Sequence, residues 1–141
     1  MESGILLIDK VEGPTSSRVV QRVKTLLGAN KVGHLGSLDP FASGLLLVGI
    51  NEGTKIAQYF LTATKSYTGV IALGVETDTQ DRTGKVMHVR DVPQLDKLAL
   101  DQIRDSFTGL MWQLPPMFSA LKIGGVPLYR LARQGKIVER D

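Results

Sequence analysis

The sequence predicts an α+β fold, a mixed and mostly antiparallel sheet with flanking helices. Three observations carry that expectation. Short apolar or alternating runs read as strands, two longer stripes repeat at helical spacing, and the two kinds follow one another without regular strand–helix alternation. The 141 residues, 43% hydrophobic and 22% charged, suffice for one domain with a core of its own.

The first element is the continuous apolar run Ile5-Leu6-Leu7-Ile8, which reads as a buried strand leaving into a polar loop at Asp9-Lys10. Gly13-Pro14-Thr15-Ser16-Ser17 supplies turn residues and a hydroxyl N-cap, and Val19, Val20, Val23, Leu26 and Leu27 then repeat at helical spacing until Gly28. Arg18, Arg22 and Lys24 lie on the other face of that helix and read as solvated. Leu45-Leu46-Leu47-Val48 reads as a second buried strand, and Thr54 as the cap of a short helix through Ile56, Ala57 and Phe60. Tyr67, Gly69, Ile71 and Leu73 alternate with Thr68, Val70 and Ala72, the pattern of a strand. Asp81-Arg82-Thr83-Gly84 reads as a turn into Lys85-Val86-Met87-His88-Val89, giving an antiparallel pair.

Leu95, Leu98, Ile103 and Phe107 form the second helical stripe, closed by Gly109. Met111, Trp112 and Met117 read as core or cleft wall, and Pro115-Pro116 cannot join a ladder. Residues Ala120 to Tyr129, centred on Gly124-Gly125, read as a hairpin followed by a short helix through Leu131 and Ala132 to Gly135. No internal repeat and no linker interrupts the chain.

Composition narrows the function classes. With no cysteine, disulfides, thiolate nucleophiles and thiolate metal sites are all excluded. No apolar run is long enough for a membrane span, and the start lacks the pattern of a signal peptide, so a cytoplasmic protein is expected. The formal net charge is +3, from 17 basic and 14 acidic side chains. Residues 106–141 hold all of that excess, with five Lys or Arg against two acids. This suits a polyanionic partner, and a solvated basic surface explains it equally well.

The strongest chemical signal is Gly33-His34-Leu35-Gly36-Ser37-Leu38-Asp39-Pro40. Two glycines open backbone angles closed to other residues, and Pro40 pushes Asp39 toward an extended conformation, so that its carboxylate is held in place. Nothing nearby in the sequence makes a metal-ligand set. The bland reading of Asp39-Pro40 alone is the start of a turn.

Taken with Leu7-Ile8-Asp9-Lys10, Lys65-Ser66-Tyr67 and Leu114-Pro115-Pro116-Met117-Phe118-Ser119-Ala120-Leu121-Lys122, this loop resembles the bacterial tRNA pseudouridine-55 synthase (TruB) family, in order and spacing along the whole chain. The resemblance implies a pseudouridine-synthase-like catalytic domain that isomerises uridine to pseudouridine in the T-loop of tRNA, without cofactor or metal. It makes Asp39 the catalytic carboxylate, as nucleophile at C1′ or base at C2′, and Tyr67 the active-site tyrosine that stacks on the base and relays the C5 proton. His34 would lie beside the extruded nucleotide, and Asp81 would border the cleft and pair with cations. Lys10 and Lys122 would lie near substrate or support the loops. Three positions depart from the family pattern: Val11 replaces a common proline, Leu35 a threonine, and Ser37 a threonine or alanine. Leu35 is expected to alter how the loop meets RNA.

Family members continue past this length, into further strands, a second active-site segment resembling Lys-Gly-Thr-Tyr-Ile-Arg, and a small RNA-binding domain. Residues 1–141 are therefore expected to be the N-terminal portion of a single catalytic domain, weakly active or inactive alone and monomeric when complete. The rival expectations are a non-catalytic RNA-binding or RNA-folding module that keeps the cleft, and an aspartate-dependent hydrolase, which needs a second acid or a metal.

Overall fold

The computed structural model describes residues 2–139 and forms two compact units, Met1–Thr68 and Gly69–Asp141. The fold is α+β, and every strand pairing among the described residues is antiparallel. No helix among these residues is long and apolar enough to cross a membrane.

In the first unit, β1 (Gly4–Lys10) leads to α1 (Ser16–Leu27), followed by β2 (Val32–His34) and β3 (Gly44–Ile50). The sheet order is β1-β3-β2, with Lys10 opposite Gly44 and His34 opposite Val48. Both apolar runs are strands, but neither is buried on both faces. Leu46, Val48 and Ile50 of β3 point inward, whereas Leu45 is 61% exposed, as is Leu7 of β1 at 68%. An antiparallel sheet with a helix on one face has this alternation by construction.

Helix α1 supplies that cover. Val23, Leu46 and Val48 make the core, with Ile8, Val19, Val20, Val32 and Leu38 packed against it. Thr15 caps the helix by accepting from the Arg18 N–H at 3.1 Å, and Gly28 closes it in the left-handed region. Leu26 and Leu27, assigned to the buried stripe by spacing, lie outside the core.

Beyond β3 the chain enters a 3₁₀ helix, Asn51–Ile56, and then α2 (Ala57–Leu61). Thr54 does not cap α2. Its hydroxyl donates back to the Asn51 carbonyl at 2.8 Å, a bond that belongs to the 3₁₀ turn. This turn passes so close to the sheet that a Cβ on Gly49 would lie 2.7 Å from the Gly53 carbonyl oxygen, so the packing depends on glycine there.

The second unit contains β4 (Val75–Thr77) paired with β5 (Val86–Val89), α3 (Lys97–Ser106), β6 (Lys122–Ile123) paired with β7 (Val126–Pro127), and α4 (Leu128–Arg133). The alternating segment 67–73 is not a strand. Val70 is 100% exposed and Ile71 84%, and no described strand offers it a ladder, without which period-two patterning remains only a pattern. Trp112 is likewise exposed rather than core. The second stripe does form α3, with Asp96 as N-cap accepting from the Ala99 N–H, but Leu98, Ile103 and Phe107 stay exposed. Gly124 and Gly125 have φ of 57° and 81°, the two positive values that a tight two-residue hairpin turn requires.

Candidate active site

The glycine-rich loop leaves β2 at His34 and returns to β3 at Gly44, and its backbone is fixed on both sides of Asp39. On the near side, the Leu35 N–H donates to the Leu47 carbonyl at 2.8 Å, and the Leu35 side chain is 2% exposed. Leu35 therefore fills the interior. Its side chain is not part of the loop's exposed surface. Next, Ser16 Oγ accepts from the Leu38 N–H and donates to the Leu38 carbonyl, both at 2.9 Å, while the Ser37 hydroxyl donates to Ser16 Oγ at 3.4 Å.

On the far side, the Gly13 N–H donates to the Pro40 carbonyl at 2.7 Å, and the Ala42 N–H to the Asp39 carbonyl at 3.0 Å. The second bond closes a turn with Pro40 in the position that its fixed φ favours. Lys10, at the end of β1, is 1% exposed. Its Nζ donates to the carbonyls of Ala42 at 2.6 Å, Val11 at 3.0 Å and Pro40 at 3.4 Å. An amine with three donors is thus matched to three acceptors, the condition under which such a group tolerates burial. Of the two roles open to Lys10 in the sequence, the geometry supports the loop rather than a substrate.

Lys10 and Ser16 are the buried polar side chains among the described residues, and both serve this loop. The Asp39 side chain is exposed, and its carboxylate has no hydrogen-bond or ion-pair partner among the described residues. The loop therefore presents a bare carboxylate on a backbone held from three directions. His34 is half-buried at the end of β2, where its Nδ1 is enclosed and without a hydrogen-bond partner among the described residues. Tyr67 is 72% exposed, and its phenol has no hydrogen-bond partner among them. No hydrogen bond among the described residues joins it to Asp39.

Asp81 and Lys122 belong to the second unit. Asp81 Oδ1 accepts from the Thr83 hydroxyl at 2.6 Å, the Thr83 N–H at 2.8 Å and the Thr79 hydroxyl at 2.8 Å. Burial pushes its carboxyl up, but the bonds from Thr83 and Thr79, with the charge of Arg82, outweigh this and hold it below the ordinary 3.8. Asp81 therefore organises its own turn. Lys122 is exposed at the start of β6, opposite Pro127. No group of three or more His, Cys, Asp or Glu among the described residues is placed to hold a metal.

Comparison with known proteins places this geometry. The profile of the TruB family pseudouridylate synthase (N-terminal domain) matches residues 24–141. The chain belongs to the TruB family. The chain is 51% identical over 138 residues to the tRNA pseudouridine synthase B of Geobacter sulfurreducens, covering 98% of this chain and 45% of that protein. The protein of the same name from Methylococcus capsulatus is also 51% identical, covering 98% of this chain and 62% of its own length. Among solved structures, a chain of a Cbf5–Nop10–Gar1 complex superposes with a TM-score of 0.55 at 29% identity, over 84% of this chain and 31% of that one. The chain spans about half the length of these curated relatives, from 45% to 62%.

Ser16 is the site residue that sequence reasoning missed. The available signal was redundancy, since Thr15 already caps α1 and the hydroxyl after it had no local task.

Two outcomes follow from these contacts. Lys10→Met keeps the length of the side chain but leaves the Ala42 and Val11 carbonyls without the amine, while the Pro40 carbonyl keeps the Gly13 N–H. It should lower stability by about 1–3 kcal/mol, read by denaturant unfolding, and speed amide exchange across residues 38–43. Asp81 has a folded-state pKa below its unfolded value. Its stabilisation is therefore present above about pH 4 and is lost as pH falls through the folded value. Asp81→Ala should melt earlier than wild type at pH 7, and the gap between the two melting temperatures should narrow as pH falls through the lowered folded-state value.

Proposed function

We propose that this chain carries the catalytic carboxylate of a pseudouridine synthase acting on the T-loop uridine of tRNA, position 55. The observation that carries the reading is Asp39, a bare carboxylate on a loop pinned by buried Lys10 and Ser16. Family membership supports the reaction class, and the name shared by the curated relatives supports tRNA as substrate.

The reaction breaks the bond from uracil N1 to ribose C1′, turns the base, and joins C5 to C1′. The C5 proton is given up and a proton is gained at N1, so the product is an isomer and the chemistry requires no redox partner. Asp39 acts at the sugar, either by attacking C1′ or by removing a proton from C2′, as carboxylates do at oxocarbenium-like centres. The uridine must leave its stack to reach the loop. Tyr67 stacks on the extruded base and relays the C5 proton, and His34 borders the nucleotide with its enclosed Nδ1. Lys122 faces the RNA backbone, and Asp81 borders the cleft. On this reading residues 1–141 are the N-terminal portion of one catalytic domain of a monomeric cytoplasmic enzyme, and turnover belongs to the whole protein.

Asp39→Asn in the full-length protein should abolish tritium release from uridine-labelled tRNA and leave tRNA binding within about threefold, because an amide keeps the size and loses the nucleophile. Substantial isomerisation by that variant would sink the assignment. A wild-type protein that binds tRNA without isomerising it would instead be an RNA-binding module. Tyr67→Phe keeps the ring and removes the phenol. Its single-turnover rate should fall by about two orders of magnitude at little cost in binding, and an unchanged rate would leave Tyr67 no proton-transfer role.

A further inference from the structure

We propose that Ser16 is a positioning residue for Asp39, acting through the Leu38 peptide. The proposal rests on Asp39 being the reacting carboxylate. It adds a residue that touches neither substrate nor the reacting atoms.

One atom, Ser16 Oγ, holds both polar ends of Leu38, accepting from its N–H and donating to its C=O at 2.9 Å each. With the Ser37 hydroxyl donating at 3.4 Å, the one donor and two acceptor positions of the hydroxyl are all used. Holding both ends of a residue restricts its φ and ψ together, and the next link in the chain is Asp39.

The hydroxyl makes no helix-capping bond, and Thr15 already caps α1 by accepting from the Arg18 N–H. Ser16 is 3% exposed, and its helix is seated on the sheet by Val19, Val20 and Val23. The peptide before Asp39 is therefore referenced to the core through α1. Leu38 also packs its own side chain against that core. Without the hydroxyl the loop would stay anchored by apolar contact but gain rotation about Leu38. Aim would suffer more than folding.

The test uses full-length protein, with Ser16→Ala to remove the clasp and Ser16→Thr to keep the hydroxyl. Single-turnover isomerisation on uridine-labelled tRNA, tRNA affinity, thermal melting and hydrogen exchange over residues 35–43 are measured together. Ser16→Ala should react about 10- to 100-fold more slowly at saturating tRNA, the scale of loss for a misplaced reacting group, with affinity within about twofold and faster exchange in that segment. Ser16→Thr should recover most of the rate.

A Ser16→Ala rate equal to wild type overturns the proposal while leaving the assignment of Asp39 intact. So does a rate loss that disappears below the melting transition, or a folded Ser16→Thr as slow as Ser16→Ala. A wild-type protein that isomerises nothing overturns the functional reading as well, so the two failures are told apart.

Discussion

A lysine taken out of water must find an acceptor for each of its hydrogens, and Lys10 finds them all in backbone carbonyls at the end of β1 and in the loop beyond β2. That requirement is mutual. The Ala42 carbonyl can turn inward because the amine waits there, the Pro40 carbonyl takes the amine as well as the Gly13 N–H, and once turned the two define how the chain passes Asp39. The β1–β3 register places Lys10 opposite Gly44, beside the residues it must reach. A slip of one position would turn the amine to the other face of the sheet.

The two units are held in different ways. The first has a small core between α1 and one face of its sheet, with buried hydrogen bonds spanning 22 to 32 residues. The second depends on local devices: the Asp81 turn, the Gly124-Gly125 turn, the Asp96 cap, and a surface ion-pair ladder in which Asp101 meets Lys97 at 2.5 Å and Arg104 at 2.8 Å. Exposed ion pairs of this kind add little, typically below about 1 kcal/mol each. Long-range order around Asp39 and short-range order around Asp81 therefore come from different physics.

Legibility in the sequence follows the same division. Helix α1, a hydroxyl cap within residues 15–17, the Gly28 stop and the β6–β7 turn could be read because each is decided by neighbours within a few residues. The strand expected over 67–73 failed because a ladder needs a second strand, which local alternation cannot report. Burial of Leu26, Leu98 and Trp112 failed for a related reason, since spacing predicts a face but not what covers it. At the site, the loop that carries Asp39 was legible from its glycines and proline. The three bonds of Lys10 and the clasp of Ser16 were not, because they join residues whose proximity only the folded sheet creates.

The Lys10 and Ser16 contacts also bear on how such a protein can drift in sequence. A side chain held by backbone atoms, as Lys10 is throughout and Ser16 is apart from the Ser37 hydroxyl, cannot be exchanged simply by altering a matching side chain, because its backbone partners carry no side-chain identity to alter. Compensation would have to come from moving the chain itself. These two buried positions are thus tied to the main-chain path, and change in one lineage would have to wait for a different loop.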